Sequence, residues 1–168
     1  MTGPVPPTGW REDRDGVAHL VLTRTFRAPV EDVWAAVTEP DRLERWIGTW
    51  SGDPASGEVL FRMTAEAADA PAERCAIEAC EPPHHLVAVT SVDASAWRLE
   101  LTLAEADGVT TLTFAQALAD PEAASQIGPG WDYYLDRLVA AETGGDVAAI
   151  AFDDYYPSQA EHYRAAFS

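Results

Sequence analysis

Between Gly57 and Leu118 apolar and polar residues alternate in short stretches separated by turn residues, the pattern of an antiparallel meander rather than of βαβ units. The clearest stretch is Trp97-Arg98-Leu99-Glu100-Leu101-Thr102-Leu103, which puts Trp and three Leu on one side and Arg, Glu and Thr on the other. Val59, Phe61 and Met63 form the matching face of an earlier strand, and Leu112 with Phe114 that of the last. Strands are predicted near 57–65, 74–80, 85–92, 97–105 and 109–118, with Asp107-Gly108 as the hairpin turn between the final two. An earlier strand is predicted from Val17 to Phe26, ended by Pro29.

Helical spacing appears in two places. Val33, Trp34 and Val37 predict a short helix after Pro29, broken by Pro40; Asp41 is then the expected N-cap of a second short helix through Leu43 to Trp46. Past Asp120-Pro121, Ile127, Trp131, Tyr134, Leu135, Leu138 and Val139 predict a long helix to Thr143, closed by Gly144-Gly145. Gly128-Pro129-Gly130 is expected to restart or kink it. The expected organisation is a flexible lead over 1–16, one α+β domain over 17–145, and an extension over 146–168 packed on the domain and ending in a short amphipathic piece, Ala160 to Phe167.

Composition narrows the function. The chain has 168 residues and a formal charge of -17, and all 11 of its basic residues are Arg. So acidic a surface repels phosphate backbones and anionic lipid heads, which argues against nucleic-acid and membrane partners. Lacking lysine, the chain has neither a Schiff-base residue nor a P-loop. Asn is also missing while Ala, Arg, Gly and Pro abound, as a GC-rich bacterial genome would encode. Met1 to Pro7 has no signal-peptide character and no long apolar run follows, so a cytoplasmic location is expected. Cys75 and Cys80, five apart on one strand, are expected on opposite faces and reduced.

Three passages resemble the START-like (SRPBCC) superfamily, in the branch of the activator of heat-shock 90 ATPase homologues (C-terminal-domain-like). They are Phe26-Arg27-Ala28-Pro29-Val30-Glu31-Asp32-Val33-Trp34 running on to Leu43-Glu44-Arg45-Trp46, Glu81-Pro82-Pro83-His84-His85-Leu86-Val87, and Gly130-Trp131-Asp132-Tyr133-Tyr134-Leu135-Asp136-Arg137-Leu138. The resemblance implies a helix-grip fold, with a curved antiparallel sheet around a long C-terminal helix, two short helices after the first strand, and a cavity for hydrophobic ligands. It leaves the chemistry open, because fold does not fix function. On the last strand Ala115 and Gln116 stand where many relatives have Thr and His, so no role is expected from that His.

The leading expectation is binding of a small hydrophobic molecule between sheet and helix by a carrier, sensor or stress-related binder. Its expected lining is Trp46, Trp50, Phe61, Met63, Trp97, Leu99, Leu101, Phe114, Trp131 and Leu135. An alternative is a cyclase- or hydrolase-like enzyme using a buried carboxylate, for which Glu66, Glu78 and Asp93 are candidates by position. A further alternative is a co-chaperone-type module contacting a chaperone, suggested by the family and disfavoured by the single-domain length. No catalytic residue is assigned: there is no Gly-x-Ser-x-Gly, and no Ser or Cys set beside a His. His84 and His85 are adjacent and would turn to opposite sides of a strand, His19 and His162 lie near the chain ends, and Cys75-x4-Cys80 fits no zinc pattern, so neither metal nor cofactor is expected. Arg62 and Arg98 should face water, Arg137 should brace the long helix beside an acid, and the chain is expected as a monomer or homodimer.

Overall fold

The computed structural model describes residues 3–92 and 95–168. Its strands are β1 (Trp10–Arg14), β2 (Val17–Phe26), β3 (Thr49–Ser51), β4 (Glu58–Arg62), β5 (Glu73–Glu81), β6 (His85–Val92), β7 (Ser95–Ala106) and β8 (Val109–Ala117). The α-helices are α1 (Val30–Thr38), α2 (Pro40–Leu43), α3 (Pro121–Thr143) and α4 (Ala160–Phe167). The eight strands form one antiparallel sheet in the order β1-β2-β8-β7-β6-β5-β4-β3, and the fold is α+β of the helix-grip type. Contacts divide the chain into two compact units, Met1–Arg24 with Ala115–Ser168, and Thr25–Phe114.

In the unit Thr25–Phe114, α1 is held at its N-terminus by Glu105, whose carboxylate accepts the Val30 N–H at 2.8 Å. Its C-terminus has a defect to repair. The Ala36 carbonyl should accept from residue 40, but Pro40 has no N–H. The indole Nε1 of Trp46 donates to it instead, at 3.0 Å, and Trp50 Nε1 donates to the Thr38 carbonyl at 2.7 Å. Pro40 does not simply break the helix: it occupies the first turn of α2 with Glu39 as N-cap, so Asp41 is not the cap and α2 stops at Leu43. Gly48 then lets the chain pass close to β4, since a Cβ there would lie 2.1 Å from the Arg62 carbonyl oxygen.

In the other unit, the segment expected as a flexible lead contains β1, paired with β2 from Trp10 opposite Val21 to Arg14 opposite Val17. Asp15 and Gly16 join them with φ of 53° and 78°, the left-handed pair of a tight hairpin turn, as Asp107 and Gly108 do at 54° and 77°. Helix α3 runs unbroken through Pro129, capped by the Asp120 side chain and closed by Gly144 at φ 77°. The expected restart at Gly128 is absent for a packing reason: the Tyr163 ring of α4 fills the space where a Cβ would be, 2.4 Å from its Cγ. Gly9 meets the same ring from another side, a Cβ there lying 2.8 Å from the phenol oxygen.

Tyr163 is fully buried, accepts the Gly9 N–H at 3.0 Å and donates to the Asp132 carboxylate. Asp132 has no exposure and also receives the Thr8 N–H at 3.2 Å, the Thr8 hydroxyl, and Arg24 Nη2 at 2.9 Å. Arg24 Nη2 lies 3.0 Å from Asp136, whose other oxygen accepts the Tyr155 hydroxyl at 2.6 Å. A buried carboxylate is tolerated only when charge and lone pairs are both answered. Here residues from the N-terminal segment, β2 and the C-terminal extension supply the partners.

Candidate functional site

The site is built on strand pairing within the unit Thr25–Phe114. Directly paired residues share a face, so pairing sorts the side chains without ambiguity. Trp97 pairs with Thr90, Thr90 with Cys75 and Cys75 with Val59. The next row runs Leu99, Ala88, Ile77, and the row after it Leu101, Leu86, Cys80. At the β4 end, Trp50 pairs with Phe61 and Phe61 with Glu73. The opposite face holds the charge: Arg98 bridges Glu78 at 3.1 Å, Arg74 lies 3.4 Å from Glu58, and His85 Nε2 contacts Glu100 at 2.6 Å.

One irregularity sets this division. The register shifts between Ile77 and Ala79, so two residues of β5 take the place of one. Cys75 and Cys80 therefore share the apolar face, contrary to the odd-spacing expectation, though Cys80 is exposed and both thiols are free. Burial pushes the Cys75 thiol above its ordinary range, helped by the Glu58 charge, which keeps it protonated and poorly nucleophilic.

The apolar face is sealed at Val59 and Leu103, 6% and 2% exposed, but not elsewhere. Leu20, Leu22, Leu112 and Leu138 of the core have at most 1% exposure. Trp50, Phe61, Ile77, Leu86, Trp97, Leu99 and Leu101 are only half-buried. Large side chains kept in that state along several neighbouring strands present an accessible apolar surface.

Of the ten expected lining residues, the pairing brings Trp50, Phe61, Trp97, Leu99 and Leu101 onto this surface. Met63 is half-buried just past β4 in the phase of Phe61. Trp46 is 5% exposed and committed to the Ala36 carbonyl, and Phe114 is a core residue at 2%. Trp131 and Leu135 belong to the other unit, where both are buried and Trp131 Nε1 donates to Gln116 Oε1 at 2.8 Å. Glu73, Ile77, Leu86 and Thr90 share this face as well, through pairing register, which alternation within a single strand does not carry.

The acid candidates fare differently. Glu66 is exposed, and Glu78 is exposed and ion-paired on the charged face, so neither is the inward carboxylate an acid-base mechanism would use. Asp93 lies outside the described residues. Arg98 faces away from the apolar surface as expected, but Arg62 is half-buried and ties down the following loop through the Ala70 and Ala68 carbonyls at 3.0 and 2.7 Å. Arg137 lies over the Tyr133 ring, 5.4 Å from its centroid. Among the described residues no group of three His, Cys, Asp or Glu is placed to hold a metal ion, and no helix is long and apolar enough to cross a membrane.

An antiparallel sheet with two short helices after its second strand and a long helix after its last defines the START-like, helix-grip class. Within that class the chain belongs to the family described as Activator of Hsp90 ATPase homolog 1-like protein, which it matches over residues 27–142. Comparison with curated proteins found no match. Among solved structures, CalU16 from Micromonospora echinospora superposes with a TM-score of 0.71 at 23% identity, over 96% of each chain. The conserved protein of unknown function EF2215 from Enterococcus faecalis gives 0.68 at 20% identity, over 92% of this chain and 87% of that one. MLL2253 from Mesorhizobium loti gives 0.64 at 22% identity, over 76% of this chain and 98% of that one. Likeness at these identities speaks for the fold.

Proposed function

We propose that the protein binds a small hydrophobic molecule on the apolar face of β3 to β7, as a carrier or sensor rather than as a catalyst. The observation that carries this reading is the contrast in burial: core leucines are sealed while Leu86, Leu99 and Leu101, of the same chemistry, stay half-open beside Trp97 and Phe61. Water against such a surface is readily displaced by an apolar guest. A guest burying about 300 Å² gains roughly 7 kcal/mol gross at about 25 cal/mol/Å². Association costs remove several of these, so affinities of about micromolar or weaker are expected.

The test is tryptophan quenching and native mass spectrometry against a panel of flat and chain-like apolar compounds. Two single substitutions accompany it. Leu99→Asp puts a charge on the surface and is expected to abolish binding, whereas Leu60→Asp, on the opposite face at a position 43% exposed, is expected to retain it. Absence of any binder, or equal binding by both variants, refutes the assignment.

A further inference from the structure

The polar groups on the apolar face are few and of one sign. Glu73 is the carboxylate among them: it pairs with Phe61, which pairs with Trp50, and it lies two residues from Cys75 in the row that ends at Trp97. It is half-buried, and among the described residues no hydrogen bond or ion pair engages it. Glu105, in phase further along β7, is already committed to the Val30 N–H. No arginine shares the face, because Arg62, Arg74 and Arg98 all pair in the opposite phase. Among the side chains described, the other polar members, Thr90 and the two cysteines, are neutral.

We propose that the ligand is a hydrophobic amine, bound as its cation with the ammonium group at Glu73 and its apolar body over Phe61, Cys75 and Trp97. This rests on the apolar face being the binding surface and specifies the chemical class that it selects. An anionic amphiphile would bring a carboxylate or phosphate to a surface that, among the described residues, has no arginine and one uncommitted acid, and would lose water without recompense. An ammonium group meets a half-buried carboxylate beside its cross-strand partner Phe61. A neutral guest would leave the Glu73 charge partly desolvated and unanswered.

The experiment compares three probes with one aromatic body, naphthylmethylamine, naphthylmethanol and naphthoic acid, by isothermal titration calorimetry at neutral pH and physiological salt. For the unmodified protein the amine is expected to bind about 10-fold more tightly than the alcohol, with the acid weakest. Glu73→Gln should bring the amine to within about threefold of the alcohol while leaving the alcohol's affinity unchanged. Glu44→Gln, at an exposed residue off the face, makes the same change in net charge and should keep the amine's advantage, which separates Glu73 from the general pull of a chain with charge -17. Equal binding of amine and alcohol, or an advantage that survives Glu73→Gln, overturns the amine assignment and leaves the apolar site standing. Failure of all three probes to bind takes down the site together with its ligand class.

Discussion

Two glycines of α3, two residues apart, should respond to the same substitution with opposite signs. Gly→Ala in a helix interior is worth about 0.5–1 kcal/mol through propensity alone. At Gly130 nothing lies within 4 Å of the added Cβ, so Gly130→Ala should be stabilised by that amount. At Gly128 the Cβ would sit 2.4, 2.5 and 2.6 Å from three ring carbons of Tyr163. The ring has no free path of retreat, because Gly9 packs against its far edge. Overpacking of this kind costs about 1–3 kcal/mol. Displacing the phenol also disturbs buried hydrogen bonds to Asp132 and Gly9, at about 1–3 kcal/mol for a group left unsatisfied. Net of propensity, Gly128→Ala should lose about 1–5 kcal/mol. Urea unfolding with a common m-value reads both variants, and hydrogen exchange of the α4 amides shows whether the extension is released first. If both variants shift in the same direction, the packing account of Gly128 is wrong.

Three further outcomes follow from the local chemistry. Trp46→Phe keeps the aromatic bulk but leaves the Ala36 carbonyl without its donor, so it should cost about 1–3 kcal/mol in chemical denaturation, against little change for Trp10→Phe at an exposed position. Burial, together with Asp136 for Tyr155 and Asp132 for Tyr163, pushes both phenols well above their ordinary value of 10.0. Below that pH both states hold these protons; above it only the unfolded chain releases them, so stability falls as pH rises through and beyond 10, and in a phenolate absorbance titration two of the five tyrosines should ionise only as the protein unfolds. Hydrogen bonds to Glu100 and then Glu81 hold His85 above its ordinary 6.5; its small contribution is full below that value and lost as pH rises through the folded midpoint, and an NMR titration should show this midpoint fall in Glu100→Gln.

Much of the architecture was legible because alternation and turn chemistry agreed. Trp97 to Leu103 alternates cleanly, and Asp107-Gly108 supplies the left-handed pair its hairpin needs. The same dipeptide at Asp15-Gly16 carried an equal signal, but the residues before it, Trp10-Arg11-Glu12-Asp13-Arg14, make an edge strand with almost no apolar pattern. Such a strand is held by its ladder and not by burial, so periodicity cannot reveal it. Gly128-Pro129-Gly130 misled for a related reason: propensity argues against a helix there, and the notch that favours one is filled by Tyr163 from 35 residues on. The tryptophans show the limit for the site. Trp46 and Trp50 share composition and neighbourhood, yet one is sealed under α1 and the other stays half-open on the apolar face, a difference set by pairing with Phe61.

The register shift at Glu78 links the fold to the proposed ligand. If β5 paired with β6 without it, Ala79 would stand opposite Leu86, and Glu81 would continue the phase of Glu73, Cys75 and Ile77 onto the apolar surface. The extra residue reverses that phase: Cys80 meets Leu86, and Glu81 turns to the charged side, where it pairs with His85 and its carboxylate lies 3.0 Å from Nδ1. One bulge thus removes a second acid from the apolar face and gives His85 the second of its two carboxylates. Among the described residues the face keeps a single uncommitted carboxylate, at the end of β5 beside Phe61. A surface meant only to be sealed would gain nothing from that arrangement, since Glu73 would be a desolvated charge without a partner. A surface that receives a cation has a use for it.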